Sequence, residues 1–376
     1  MIYFDNAATT PTLKEAEKAF LDANRAVYAN PSSSHAFGRE SLRMLNEART
    51  SILSLLGLDA THDMLFTSGA TESNNLAIKG LAYSYRNRGN KIITSSVEHP
   101  SVTNAFLDLK EQGFDVVFLP VNENGVVEEE TLNNAIDSKT ILVSIMSVNN
   151  EVGSINDISS LAEIVHKYPK AFFHVDTTQS MGKIRLDYRK ADLISFSGHK
   201  FGSFKGLGGL IYKNNIRFHE LNSGGEQEYG FRAGTVNMPG DVSMAKALEV
   251  SYQNMSKNIK IVTEIRDFLR DNLAKRGDVV INSPVDATPY VLNFSLKKKK
   301  ASVVLEALSS EGIYVSSVSA CSSKGEPVSE VLLSMGLERD LAMNSIRLSF
   351  SHDNTMEEAR IFLSAFDKIM KEVVDR

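Results

Sequence analysis

Short runs of apolar residues alternate along the chain with longer stretches in which apolar positions recur every three or four residues. Lys91–Ser95, Val116–Leu119, Ile141–Ile145, Phe172–Val175, Ala191–Ser195 and Gly209–Tyr212 read as strands. Helical periodicity fills Leu76–Tyr83, Ser101–Gln112 and Ile158–Lys167. Strands separated by helices need crossover connections, so the pattern predicts a mostly parallel sheet. The near-continuous apolar character of the runs fits strands covered on both faces. After Gly240 a long helix is predicted from about Val242 to Lys275, then a strand at Val291–Ser295 and a helix at Ser302–Ser310. Strands at Tyr314–Ser316 and Ser345–Ser349 and a closing helix from Met356 follow. The expectation is an α/β chain with a large domain over residues 12–258. A smaller α+β domain is expected from residues 1–11 and 259–376, with the boundary inside the long helix near Lys257–Lys260.

Composition narrows the function classes. Hydrophobic residues make up 42% and charged residues 23%, which excludes a disordered or collagen-like chain. The net charge of −5 disfavours a basic nucleic-acid-binding surface. Cys321 is the sole cysteine, so no intramolecular disulfide can form, and a reducing compartment is expected. Met1–Asn6 lacks the basic-then-apolar layout of a signal peptide, and no apolar run approaches a membrane span. The reading is a cytoplasmic protein. The basic run Lys297–Lys300 reads as a solvated turn, with a patch for an acidic partner as the alternative.

Several residues carry candidate chemistry. Asp176 ends a buried strand, where ligands of open α/β sheets gather. An acid there can bind a metal, act as a base or hold a protonated heterocycle nitrogen, or simply cap a turn. Lys200 follows the next strand through Ser195-Phe-Ser-Gly-His-Lys200, and is either a Schiff-base former or an ordinary exposed lysine. Paired with Asp176 it fits pyridoxal phosphate (PLP), which needs a lysine for its aldehyde and an acid for its pyridinium nitrogen. Phe66–Asn75 is small and hydroxylated and opens a helix, as a phosphate-binding end or a plain capped helix would. His99 follows a strand end and can stack on a ring and move protons, or serve structure alone. Cys321 lies among serines before Gly325, which predicts a loop and a reactive thiol rather than the usual buried cysteine. Arg347 offers a planar fork for a carboxylate, unless it is a surface arginine on an edge strand.

Together these residues resemble the group I cysteine desulfurases, the NifS/IscS type. That family consists of PLP-dependent enzymes of fold type I related to the class V aminotransferases. The resemblance rests on Asp5–Pro11, Asn30–His35, Thr67–Asn75, Val148–Gly153, His174–Ser180, Ser197–Lys200, Arg232–Thr235 and Ser319–Ser323, in order and almost end to end. It implies a large domain with a mostly parallel seven-stranded sheet and a homodimer. It implies that Lys200 binds PLP covalently and moves protons, that Asp176 pairs with the ring nitrogen, and that His99 stacks on the ring. Ala70, Thr71, Ser197 and His199 are implied to hold the phosphate, with Thr235 reaching in from the neighbouring subunit. Asn150 and Gln179 are implied to contact the ring and its phenolic oxygen, Asn150 also lying beside the substrate. Arg347 is implied to grip the carboxylate of L-cysteine, and Cys321 to take its sulfur as a persulfide. Alanine then leaves, and the sulfur passes to an acceptor such as an iron–sulfur scaffold or a tRNA-thiolation carrier. No metal, direct nucleic-acid contact or membrane contact is implied.

Three departures from the family pattern stand out: Val318 before Ser319-Ala-Cys321, Phe201-Gly-Ser-Phe-Lys-Gly206 after the lysine, and Glu226 in a glycine-rich segment. None removes a chemical group that the reaction needs. The rival readings are a selenocysteine lyase or class V aminotransferase, and a non-catalytic sulfur-scaffold protein. Cys321 weighs against an aminotransferase. The joint presence of Lys200, Asp176, His99, Arg347 and Cys321 weighs against a scaffold.

Overall fold

A computed structural model describes residues 1–317 and 328–375, so Val318 and Cys321 lie outside the described residues. Strand β1 (Ile2–Tyr3) is followed by helices α1 (Lys14–Ala26) and α2 (Ala36–Leu56). Next come β2 (His62–Thr67) and α3 (Ala70–Asn75), which runs on through a wide turn at Leu76–Gly80 into α4 (Leu81–Tyr85). Strand β3 (Lys91–Ser95), α5 (Pro100–Glu111), β4 (Asp115–Leu119), α6 (Glu129–Ala135) and β5 (Thr140–Ser144) continue the alternation. It ends with α7 (Ile158–Val165), β6 (Phe172–Asp176), β7 (Leu193–Ser197) and β8 (Gly208–Lys213). The long α8 (Met238–Ala274) leads to β9 (Val279–Ile281), β10 (Val291–Leu296), α9 (Ala301–Ser310) and β11 (Ile313–Tyr314). Short helices α10 (Glu330–Ser334) and α11 (Arg339–Met343) precede β12 (Ser345–Ser349) and α12 (Met356–Glu372).

Seven strands form one sheet in the order β2-β8-β7-β6-β5-β3-β4. Only β8 runs against its neighbours, so the sheet is mostly parallel, as the alternation of strand and helix requires. Alternate residues of each strand enter opposite cores. Met64, Phe66, Ile93, Val143, Ile194 and Ile211 join the core beneath α1, α2, α7 and the first half of α8. Leu65, Ile92, Leu142, Leu193 and Leu210 join the core beneath α4 and α5. Every strand but the half-exposed edge strand β4 is therefore largely buried on both faces, which is why the runs read as continuously apolar.

A second, three-stranded antiparallel sheet, β12-β10-β9, packs with α9, α12 and the second half of α8. Along α8, residues up to Leu248 belong to the core of the large sheet and those from Val262 to that of the small one. Strand β1 pairs in parallel with β11, which attaches the first residues to the smaller unit.

Some boundaries depart from the sequence expectation. The strand expected at Ala191–Ser195 is Leu193–Ser197. Ala191 instead closes a turn onto Tyr188, and the Asp192 carboxylate accepts the Phe173 N–H. The strand expected at Tyr314–Ser316 stops at Tyr314, and Ser316 turns away to bridge Arg347. The basic run is not uniformly solvated. Lys299 is buried and binds Asp375 at 2.8 Å and the Val373 carbonyl, so it pins the chain after α12. No helix among the described residues is long and apolar enough to cross a membrane.

Candidate active site

Five parallel strands end on one edge of the large sheet, and the turns beyond them carry the candidate residues. Beyond β2 come Ala70 and Thr71, beyond β3 His99, and beyond β5 Asn150. Asp176 closes β6 with Gln179 just beyond it, and Ser197 closes β7 and leads to His199 and Lys200. All nine line one cavity of about 430 Å³, together with Arg347 from β12. Ser316 and Ser317 line it too, immediately upstream in sequence of the segment holding Cys321. Thr235 is exposed on the approach to α8 and does not line this cavity.

The phosphate end is shaped by small residues. Gly208 lets the start of α3 press onto the sheet, because a Cβ there would sit 2.5 Å from the Gly69 Cα. The Ala70 N–H donates to Ser197 Oγ at 2.7 Å, so the two implied phosphate ligands are already in register. His199 Nδ1 lies 3.1 Å from Thr9 Oγ1. Burial, with Lys200, Lys205 and Lys183 nearby, pushes His199 down to about 4, which keeps it neutral.

Asp176 is fixed at the cavity floor. Asn74 Nδ2 donates to its Oδ2 at 2.8 Å and the Thr178 N–H to its Oδ1 at 2.9 Å. His99 caps α5, and its Nδ1 accepts from the Ser101 N–H at 3.2 Å, which in a neutral ring leaves the proton on Nε2. The ring opens onto the cavity, yet desolvation lowers its pKa, Asp176 opposing and Lys200 adding to the shift. The Lys200 amine donates to the Ala7 and Ala8 carbonyls at 2.7 and 2.8 Å. Desolvation and then Arg347 lower it to about 8, against the pull of Asp176 and Asp5. The neutral, nucleophilic form of this amine is therefore far more accessible near neutral pH than that of an ordinary lysine.

Arg347 is buried. Its Nη2 donates to Asp5 Oδ1 at 2.8 Å and its Nη1 to the Asn150 carbonyl at 3.0 Å. Its Nε has no partner among the described residues. The same holds for Thr178 Oγ1 and Asn74 Oδ1, both beside Asp176. Buried donors and acceptors without partners are costly, and two of these, on Arg347 and Thr178, belong to residues that line the cavity and mark the place of a polar occupant. A lysine amine, a carboxylate on the floor, an imidazole on the wall and a hydroxyl-lined helix start together match the donor set that PLP needs. The residues present fit the group.

Sequence reasoning assigned no role to several further groups. Glu98 is buried, with Oε1 accepting from Ser95 Oγ at 2.5 Å and the Met146 N–H at 3.0 Å, and desolvation raises it to about 8. Glu151 lines the cavity, and desolvation raises it to about 7. Buried Lys183 donates to Gln179 Oε1 at 3.0 Å, and burial pushes it down to about 7. Gln179 Nε2 in turn donates to the Ala7 carbonyl at 3.0 Å. Glu151, Asn74 and Asp5 all lie within motifs on which the resemblance rests, and that was their only signal. In the turn after Lys200, Gly202 adopts φ +89° against Leu13, and Phe204 packs on Phe20, so the unusual sequence is accommodated by α1. Glu226 is exposed.

Comparisons with known proteins agree with this geometry. The family model described as aminotransferase class-V matches residues 2–362. A "NifS/IcsS protein homolog" of Lactobacillus delbrueckii subsp. bulgaricus is 40% identical over 98% of this chain and 97% of its own. A protein named "Cysteine desulfurase IscS" from Dictyoglomus turgidum is 39% identical over 99% of this chain and 95% of its own. A solved structure titled "NIFS-LIKE PROTEIN" superposes with a TM-score of 0.92 at 35% identity, covering 99% of this chain and all of that one.

Proposed function

The chain belongs to the aminotransferase class-V family and is a PLP-dependent enzyme of the cysteine desulfurase type, and we propose that it converts L-cysteine to L-alanine while Cys321 takes the sulfur. The observation that carries this reading is the convergence of Lys200, Asp176, His99 and Arg347 on one cavity. When bound, PLP supplies an aldehyde for amines and a protonated ring that withdraws electrons from the substrate carbon. Lys200 offers that aldehyde an amine that loses its proton more easily than an ordinary lysine, and later carries protons at Nζ. Asp176 would hold the ring proton, and His99 would support the ring and exchange protons through Nε2. Ala70, Thr71, Ser197 and His199 would hold the phosphate, and Asn150 and Gln179 would contact the ring and its phenolic oxygen. Arg347 binds the cysteine carboxylate. The Cys321 thiolate attacks the substrate sulfur: an S–S bond forms, the Cβ–S bond breaks, and its electron pair stays on carbon until a proton from Lys200 completes alanine.

A homodimer with Thr235 completing the partner's phosphate site is part of the proposal. It is supported by the exposure of Thr235 on a glycine-rich segment outside its own subunit's cavity. The division into residues 12–258 and residues 1–11 with 259–376 is likewise proposed, supported by the change of core along α8. Delivery of the sulfur to an iron–sulfur scaffold or a tRNA-thiolation carrier, in the cytoplasm, completes the reading.

The test is release of sulfide and alanine from L-cysteine, with and without reductant, beside mass spectrometry of Cys321→Ser. The variant is expected to keep the cofactor colour and carry no sulfur adduct. An adduct on the variant would refute the role of Cys321, and alanine formed only with a keto acid present would support an aminotransferase instead.

A further inference from the structure

The turn Asn149–Gly153 belongs to the large sheet, yet the smaller unit grips it at four points. Arg347 donates to the Asn150 carbonyl at 3.0 Å and Asn293 Nδ2 to the Glu151 carbonyl at 3.1 Å. The Thr288 N–H donates to the Gly153 carbonyl at 2.9 Å, and Ser329 Oγ donates to the Glu151 carboxylate. Three of these bonds go to the main chain. The fourth uses a carboxylate that lines the cavity, and its partner is the residue that caps α10 by accepting from the Leu332 N–H at 3.0 Å. Behind the cap, Val331, Leu332 and Met335 form a separate small core with Val97 and Val152. Those two valines are near neighbours in sequence of His99 and Glu151. The start of α10 is thus docked on the walls of the cavity, outside the core of the smaller unit.

We infer that Glu151, acting through Ser329, is a positioning residue for sulfur transfer: it anchors to the cavity wall the chain that follows the Cys321-bearing segment. A cavity-facing carboxylate held by a hydroxyl from the other unit is otherwise a costly group, since desolvation penalises it and no lysine or arginine among the described residues forms a salt bridge with it. The anchor acts on the thiol's side of the reaction, while Arg347, on the other side of the same turn, acts on the substrate's. The inference rests on the desulfurase reading.

The experiment uses the PLP-loaded full-length enzyme and two measurements: the spectral change on adding L-cysteine, and the rate of persulfide appearance on Cys321 by mass spectrometry. Glu151→Ala is expected to leave the cofactor content and the spectral titration with cysteine as in wild type while slowing persulfide formation on the order of tenfold, as loss of one hydrogen bond to a charged group would. Ser329→Ala is expected to do the same, and the double variant to be no slower than Ser329→Ala. Glu151→Gln keeps an acceptor for Ser329 and is expected to restore most of the rate. Hydrogen exchange on the apoenzyme is a readout free of turnover: the Leu332 amide should exchange faster in Glu151→Ala although Ser329 is intact. Wild-type persulfide formation together with unchanged rates in Glu151→Ala and Ser329→Ala would overturn the anchor alone. Effects that multiply, or a loss of cysteine binding in step with the loss of rate, would also overturn it. Absence of the persulfide from wild type would overturn both this inference and the desulfurase reading.

Discussion

Replacing Arg347 with lysine keeps a positive charge at the cavity wall but removes the planar fork. In the structure that fork spends Nη2 on Asp5 and Nη1 on the Asn150 carbonyl, and leaves Nε buried without a partner among the described residues. A substrate carboxylate brings two acceptor oxygens, so it can satisfy Nε and compete with Asp5 for the fork. A lysine ammonium at the end of a flexible stem cannot make the paired contact. Loss of one charge-assisted hydrogen bond costs about 1.5–3 kcal/mol, which predicts a rise in KM for L-cysteine of roughly 10- to 150-fold with cofactor content unchanged. Arg347→Ala should be worse, because the partly buried Asp5 then loses its counter-charge as well. Asp5→Asn works in the other direction by removing the competing carboxylate, and its KM should not exceed that of wild type. The assay is initial-rate kinetics over a wide range of cysteine concentration, with PLP content measured on the same preparations. A KM for Arg347→Lys within about twofold of wild type would refute the carboxylate role. A parallel loss of cofactor would mean that the arginine supports PLP instead.

Lys200→Ala should lose both turnover and the visible absorbance of the resting enzyme, and in wild type the rate at which apoenzyme takes up PLP should climb as the pH rises through about 8, where the amine sheds its proton; a pH-independent uptake rate would contradict this. Mixed dimers of a Lys200→Ala subunit with a Thr235→Ala subunit should retain one intact site if Thr235 serves the partner. Provided that Thr235→Ala alone is impaired, mixed dimers no better than half its homodimer would exclude a shared site. Glu98 holds a proton in the folded state up to about 8 but only to near 4.5 unfolded, so its contribution to stability is complete below 4.5 and is lost as pH rises through 8. Glu98→Gln should therefore shrink the fall in melting temperature between pH 5.5 and pH 8.5 without abolishing it, since Glu151 titrates in the same direction; an unchanged fall would remove Glu98 from the account.

The residues legible from sequence were those at strand ends. A buried run followed by a polar residue marks the carboxyl edge of a parallel sheet, which located Asp176, Lys200 and His99 before any contact was known. Helices α1 and α2 escaped the same reading. Only Ala16 and Ala23 of α1 are buried, too few for a visible apolar stripe, and no side chain caps its start. The burial of Glu98 and Glu151 was also hidden, because it is imposed by distant partners: Met146 lies beyond β5 and Ser329 precedes α10. Arg49 and Glu228 pose the same difficulty. They form a buried ion pair at 3.0 Å across most of the large unit, and each reads locally as a surface charge. For Arg347 the sequence left a carboxylate fork and a surface arginine on an edge strand both open; its strand is indeed at an edge, but Ser316 bridges Arg347 itself and Asp5 bridges Ser349, so that edge is covered.

The covering of that edge has a consequence for the time at which the enzyme becomes competent. Ala7 and Ala8 supply the acceptors for the Lys200 amine, and Asp5 holds Arg347. Asn6 donates to the Ser349 carbonyl, and Ile2 pairs with Ile313. Residues synthesised early thus close on residues synthesised more than three hundred positions later. Long-range closure of this kind is slow and comes late. A growing chain can assemble the large sheet and even place Asp176 and Lys200, but until residue 347 has emerged it has no carboxylate clamp. Synthesis itself therefore delays the chemistry, and a chain that stalls early is left without the means to mobilise sulfur.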